Sequence, residues 1–217
     1  MVEKKKHNGI FITGTDTGVG KTHVGARLIG SLVDHGVKVI PRKPAESGCT
    51  LERNQLVPAD GTTLMSAAGL SDIDAVTPYR FEQPLSPPRA ALLSDQHLLM
   101  DQLIDACQSE AEDFIVVEGA GGFMSPLAED GLNADLAVAL SLPVLLVVAD
   151  KLGCVNHCLL TLEAIKNRGL HVAGIVLNQI EPDKDGMDNQ SEIERLSIIK
   201  VYPDTEIEQL ARQLILS

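Results

Sequence analysis

Gly14-Thr15-Asp16-Thr17-Gly18-Val19-Gly20-Lys21-Thr22 is the stretch on which the fold turns. It follows the short apolar run Ile10-Phe11-Ile12-Thr13. It leads into residues 22–35, where Val24, Leu28, Ile29, Leu32 and Val33 recur on one helical face and Gly36 follows as a stop. Strand, Gly-rich turn and helix in register are the setting of a phosphate-binding loop. The glycines let backbone N–H groups turn inward around phosphate oxygens, and the helix N-terminus adds roughly half a positive charge. Gly18, Val19, Gly20, Lys21, Thr22 and the adjoining His23 are therefore the expected nucleotide contacts. Lys21 is placed to reach the β- and γ-phosphates, and the Thr22 hydroxyl to bind Mg²⁺. Five residues, not four, separate Gly14 from Gly20. The competing reading is a tight turn without a ligand.

Outward from this loop the chain alternates. Residues 37–40 predict a second strand, 43–60 a polar loop and 61–70 a short helix. Four prolines between Pro78 and Pro88 predict irregular structure, and 92–112 reads as helical. Phe114-Ile115-Val116-Val117 is an apolar strand ending at Glu118-Gly119-Ala120-Gly121-Gly122. Residues 143–149 and 172–177 are further strands, with a helix over 155–168 between them. Beyond residue 181 come a polar stretch, a strand at 198–202 and a short closing helix. Apolar runs without polar alternation are covered on both faces, as in a parallel sheet flanked by helices. The expected fold is therefore α/β: a doubly wound, mainly parallel sheet in a single phosphate-loop domain over 1–217, with a divergent tail at 181–217.

Composition narrows the function. The 217 residues carry 18 Lys+Arg against 30 Asp+Glu, a formal charge of −12, so no general field attracts a nucleic-acid backbone or an anionic membrane. Nucleic acid and membrane are not expected partners. With four Phe, two Tyr and no Trp, the core must be aliphatic. The longest apolar stretch, 136–149, is too short to span a bilayer and contains Pro143. Lys4-Lys5-Lys6 has no signal-peptide core after it. Cys49, Cys107, Cys154 and Cys158 contain no C-x-x-C pair, so reduced thiols in a cytoplasmic protein are the expectation.

Ligands of open α/β sheets gather at the carboxyl ends of strands. Lys21 follows the first strand, Lys43 and Ser47 the second, Glu118 the third, Lys151 the fourth and Asn178 the fifth. Each has a plainer reading. Lys43 suits a solvated loop charge, Glu118 a buried ion pair, Asp60 a helix cap and Asn178 a strand cap. Cys154, His157 and Cys158 suit core packing better than a zinc site, whose spacing they lack. Convergence of all five ends on one crest favours a site.

The four blocks Gly14–Thr22, Lys43-Pro44-Ala45-Glu46-Ser47-Gly48, Val117–Gly122 and Lys151-Leu152-Gly153-Cys154-Val155-Asn156-His157 resemble, in order and spacing, the signatures of dethiobiotin synthetases, over roughly residues 9–182. The resemblance implies a homodimeric, Mg²⁺- and ATP-dependent ligase of biotin synthesis. Such an enzyme carboxylates 7,8-diaminononanoate with CO₂ or bicarbonate and closes a cyclic urea through a carbamic-phosphoric anhydride. It implies Lys43 and Lys21 as catalytic cations, and Thr22, Asp60 and Glu118 as the Mg²⁺ residues. It further implies Gly119, Ala120, Gly121 and Asn178 at the nucleotide. Thr17, Ser47, Lys151, Cys154, Val155 and Asn156 would contact the substrate, the last four partly across the dimer. The tail departs from the family, with Ile199-Lys200-Val201-Tyr202-Pro203 where relatives have Gly-x-Ile-Pro. Partitioning ATPases are the non-enzymatic rival; they carry an extra lysine where this chain has Thr15 and Asp16, and many end in a basic tail.

Overall fold

The computed structural model describes residues 8–110, 113–180 and 186–216. Six strands form the central sheet: β1 (Asn8–Gly14), β2 (Val39–Arg42), β3 (Phe114–Gly122), β4 (Val144–Ala149), β5 (Val172–Asn178) and β6 (Val201–Pro203). Their order is β6-β5-β4-β1-β3-β2, and every pairing is parallel. β1 lies at the centre, with Phe11 opposite both Val117 of β3 and Val144 of β4. The order of connection reverses there, and the segments leaving β1, β2 and β3 line a common crevice.

The alternation of the strands divides the core into layers. Phe11, Ile115, Val117 and Val144 face the helix Asn133–Leu140, packing on Leu136, Ala137 and Leu140. Ile10, Ile12, Val116, Leu145 and Val147 point the other way, onto Val24, Leu28, Ile29 and Leu32 of the helix Lys21–Asp34. A third cluster sets Leu146, Val148, Ile175 and Leu177 against Cys154, Cys158 and Leu162 of the helix Cys154–Asn167. Cys154 and Cys158, four apart, thus share one buried helical face. No helix among the described residues is long and apolar enough to cross a membrane.

Three segments between β2 and β3 differ from the expectation. The polar loop 43–60 holds a strand, Ala45–Ser47, paired in parallel with Tyr79–Phe81, and a hairpin of Thr50–Glu52 with Gln55–Val57. The hairpin turns on Arg53 and Asn54, both at positive φ, a geometry that the sequence pair Arg-Asn signals less clearly than Asn-Gly. The proline-rich stretch is more regular than expected. Pro87 and Pro88 open the helix Pro87–Leu93, where a missing N–H costs nothing. The reading of 92–112 as one helix is corrected: Pro87–Leu93 ends, Asp95 turns at φ 54°, and Met100–Ala106 begins anew. Residues 111–112 lie outside the described ones.

The helix Asn133–Leu140 escapes sequence reading because its apolar residues merge with those of β4; Ser141, at φ 54°, separates the two. In the tail, residues 181–185 lie outside the described ones. The helix Asn189–Ser197 is capped by Asp188, which accepts from Ser191 N at 3.3 Å. β6 then joins the sheet beside β5, and the helix Ile207–Leu216 buries Ile207, Leu210 and Ala211 in the layer that contains Leu28. The divergent tail is therefore part of the same sheet and core.

Candidate active site

The loop after β1 has the backbone that its glycines require. Gly18 and Gly20 lie at φ 74° and 90°, in the left-handed region. Gly20 is the N-cap of Lys21–Asp34 without any side-chain cap, so the first N–H groups of that helix remain open to an anion. A Cβ on Gly20 would stand 2.0 Å from Asn178 Nδ2. Asn178, at the end of β5, donates that Nδ2 to Val19 O at 2.9 Å and so braces the loop from behind. Lys21 is buried; its Nζ donates back to Asp16 O at 3.0 Å. Burial first, then Lys43, lowers its pKa to about 8.

Opposite the loop lies a compact group of charges. Lys43, 3% exposed, donates from Nζ to Glu118 Oε1 at 2.6 Å and to Gly119 O at 3.0 Å, and pairs with Asp60 Oδ2 at 3.2 Å. The Thr22 hydroxyl donates to the same Glu118 Oε1 at 2.9 Å. Burial disfavours the Lys43 ammonium, yet Glu118 and Asp60 more than offset it and hold the pKa above the ordinary lysine value. Asp60 is likewise opposed by burial and lowered overall, chiefly by Lys43. The plainer readings of Lys43 as a solvated charge and Glu118 as a buried pair thus resolve into one buried cluster.

Thr22, Asp60 and Glu118 fit a hard cation. Glu118 Oε2 is buried and has no hydrogen-bond partner among the described residues, so a carboxylate lone pair is left over. The Lys43 ammonium already sits between the two carboxylates as a cation would. Among the described residues no cluster of three or more His, Cys, Asp or Glu could hold a metal alone. Two carboxylates and a hydroxyl suit Mg²⁺, which is commonly held by one or two carboxylates plus substrate phosphates.

A cavity of about 330 Å³ joins these groups, lined by Thr17, Gly18, Gly20, Lys21, Thr22, Lys43, Glu46, Ser47, Asp60, Glu118, Ala120 and Gly121. Thr17, Ser47, Ala120 and Gly121 also line a second space of about 400 Å³, bounded by Pro84, Leu85, Pro87 and Pro126.

A family described as an AAA domain matches residues 8–210. The ATP-dependent dethiobiotin synthetase of Ruthia magnifica is 43% identical over 176 residues, 81% of each chain. That of Vesicomyosocius okutanii is 39% identical over 209 residues, 95% of this chain and 94% of its own. The chain belongs to the dethiobiotin synthetase family. As a fold, it is similar to the cell division ATPase MinD of Pyrococcus furiosus, with TM-score 0.56 and 19% identity over 96% of this chain and 99% of that one. A chain of the MinC:MinD cell division protein complex of Aquifex aeolicus has TM-score 0.56 at 16% identity, over 97% of this chain and 88% of that one.

Within this synthetase-family fold, eleven of the expected residues line one cavity, from Thr17 to Gly121. Val19 is buried beneath the loop, and His23 lies exposed on the following helix. Gly119 is buried against Asn133, whose Oδ1 would be 2.3 Å from an added Cβ. The segment from Lys151 to Asn156 stands apart, lining neither space. Lys151 and Asn156 are exposed, whereas the Cys154 side chain is in the core, leaving Cys154 only its backbone to offer. Gly153, at φ 88°, caps the helix Cys154–Asn167 without a side-chain bond.

Sequence reading missed two residues. Asn133 binds the Gly-rich end of β3: its Oδ1 accepts from Ala120 N at 2.9 Å, and its Nδ2 donates to Ala120 O, Gly122 O and Ser125 O. Nothing in its neighbourhood marks it, because its partners lie across a loop. Glu46 is buried and accepts from Asp60 N and Gly61 N at 3.0 and 2.8 Å. Its signal was its place within Lys43–Gly48.

Proposed function

We propose that this chain performs the ATP-dependent ring closure of 7,8-diaminononanoate with CO₂ to dethiobiotin, as a ligase of biotin synthesis. Family membership supports the activity, and one observation carries it to these residues: a cavity with two buried lysines and three carboxylates opens into a space walled by prolines and leucine. A molecule with two vicinal amines at one end and an aliphatic chain behind them matches that change of lining.

The reaction has three steps. One amine adds to CO₂, giving a carbamate and releasing a proton. A carbamate oxygen then displaces ADP from the γ-phosphorus. The second amine attacks the carbonyl carbon of the resulting anhydride, closing the urea and expelling phosphate with a proton. The second step brings two anions together, so cations between them lower its barrier. Lys21, at the loop, faces the phosphates. Lys43, opposite, is held as an ammonium by Glu118 and Asp60 and faces both the phosphate and the carbamate. Neither need accept a proton. Mg²⁺ on Thr22, Asp60 and Glu118 would neutralise phosphate charge. Gly18 to His23 and Gly119 to Gly121 surround the nucleotide, with Asn178 at its base end. Thr17 and Ser47 hold the diamine.

Lys151, Cys154, Val155 and Asn156 complete the site from a second copy. Lys151 and the open N-terminus of the helix Cys154–Asn167 suit the substrate carboxylate. Exposed Leu152 and Leu160 beside them suit burial in a homodimer. The cytoplasm, where CO₂ and ATP are available, is the working compartment. Radiolabelled bicarbonate tests the chemistry. A urea carbon survives acid, whereas a carbamate returns its label as CO₂. Acid-stable label dependent on both ATP and the diamine is expected; its absence would refute the assignment.

A further inference from the structure

The helix Ala59–Ala67, which presents Asp60 to Lys43, starts without local help. Pro58 at its N-cap has no side chain able to accept a hydrogen bond, and the first N–H groups of a helix have no partner within it. Glu46 supplies the partner from another element. Its Oε1 accepts from Asp60 N at 3.0 Å and its Oε2 from Gly61 N at 2.8 Å. The carboxylate is buried, and its own backbone is fixed in the strand Ala45–Ser47, opposite Arg80 of Tyr79–Phe81. Gly61 leaves no slack on the far side, because a Cβ there would come within 2.0 Å of Thr77 Oγ1.

We propose that Glu46 is a positioning residue for Asp60, a two-oxygen clamp that sets where the Asp60 carboxylate stands relative to Glu118 and Thr22. It reaches the cavity wall, yet its oxygens are turned to the two backbone donors. Two arms of the site are tied together by this one side chain: the segment carrying Lys43 and Ser47, and the helix carrying Asp60. The energetic logic is that of a buried carboxylate, which is tolerated only with donors in place. Here the donors are the open end of a helix, which favours a negative charge. A helix cap alone would stabilise the fold. A clamp beside a metal-binding carboxylate also governs affinity for the cation. The inference rests on the assignment of Thr22, Asp60 and Glu118 to a divalent cation.

Mn²⁺ titrated into the protein in the presence of excess ADP, with free Mn²⁺ read by electron paramagnetic resonance, tests it without turnover. Glu46→Ala is expected to bind Mn²⁺ about ten-fold more weakly, the lower bound for lost outer-shell partners of metal ligands. Glu46→Gln, keeping one oxygen, should fall between it and the unaltered protein. In the synthetase assay, the Mg²⁺ concentration for half-maximal rate should rise while kcat at saturating Mg²⁺ changes little. Unaltered Mn²⁺ affinity in both variants, whatever their melting temperatures, would overturn the role of Glu46. Glu46→Gln alone decides if Glu46→Ala does not fold. Absence of Mn²⁺ binding by the unaltered protein would instead overturn the metal assignment and the inference with it.

Discussion

Lys43 and Lys21 are both buried lysines beside one cavity, but their surroundings set them apart. Lys43 touches two carboxylates and stays charged. Lys43→Gln keeps length and polarity but loses the cation where anionic charge meets. It should lower kcat by about 10²–10³, the cost of losing one transition-state stabiliser, with a much smaller change in ATP affinity. Steady-state ADP release and equilibrium nucleotide titration separate the two effects. Among the described residues Lys21 forms no ion pair; burial and Lys43 outweigh the pull of Glu118, Asp60 and Asp16, and its pKa falls to about 8. Bound phosphate favours the ammonium, so its pKa rises in the complex. ATP affinity should therefore be highest below pH 8 and decline as pH rises above it, with protons taken up on binding. Calorimetry in buffers of different ionisation enthalpy measures that uptake; affinity and proton uptake that do not vary across this range would contradict the environment assigned to Lys21. Sequence position alone identified both lysines. It could not tell them apart, since what differs is the carboxylate company that each keeps.

At the scale of elements, one glycine and two asparagines, Gly20, Asn178 and Asn133, shape the crevice. Gly20 has a positive φ and no room for a Cβ in front of Asn178, so Gly20→Ala should distort the phosphate loop and abolish measurable nucleotide binding while the sheet remains. Nucleotide titration alongside far-ultraviolet circular dichroism checks both halves of that statement. Asn133→Ala removes a side chain with three hydrogen bonds to the end of β3 and a fourth to Ser125 O beyond it. Leaving those buried backbone groups unpaired should cost about 2–4 kcal/mol, read as a fall in the urea midpoint with unchanged slope. The strands and the phosphate loop were legible because each carries its own local signal, an apolar run or a glycine pattern. Asn133 and Glu46 were not, since their roles come from contacts across 8 to 15 residues, with partners on other elements. The helix Asn133–Leu140 and the hairpin at residues 50–57 were hidden for related reasons: one merges its apolar residues with the next strand, and the other turns on Arg53-Asn54 without glycine.

The whole molecule carries −12, and residues 181–217 hold nine acidic and four basic residues of that imbalance. The cavity at the phosphate loop nonetheless places Lys21 and Lys43 among Glu46, Asp60 and Glu118, so anions meet local cations within an acidic protein. The four thiols are buried in separate parts of the core or one helix face, and burial raises Cys49 to about 11 and Cys107 and Cys158 to about 12. Native protein at neutral pH should react slowly with an aromatic disulfide reagent, and denatured protein at all four cysteines. Fast reaction of the native thiols would contradict this burial. The proposed participation of a second copy predicts a dimer by sedimentation and loss of diamine affinity, with ATP affinity kept, in Asn156→Ala.

ATP cleavage in this protein is tied to carboxylation of a vicinal diamine. The most direct measurement is ADP release by the purified protein with Mg²⁺ and ATP, with and without 7,8-diaminononanoate and bicarbonate. Release that requires both co-substrates and matches dethiobiotin formed mole for mole is the predicted result. Release indifferent to the diamine, or none at all with a folded, nucleotide-binding protein, would contradict it.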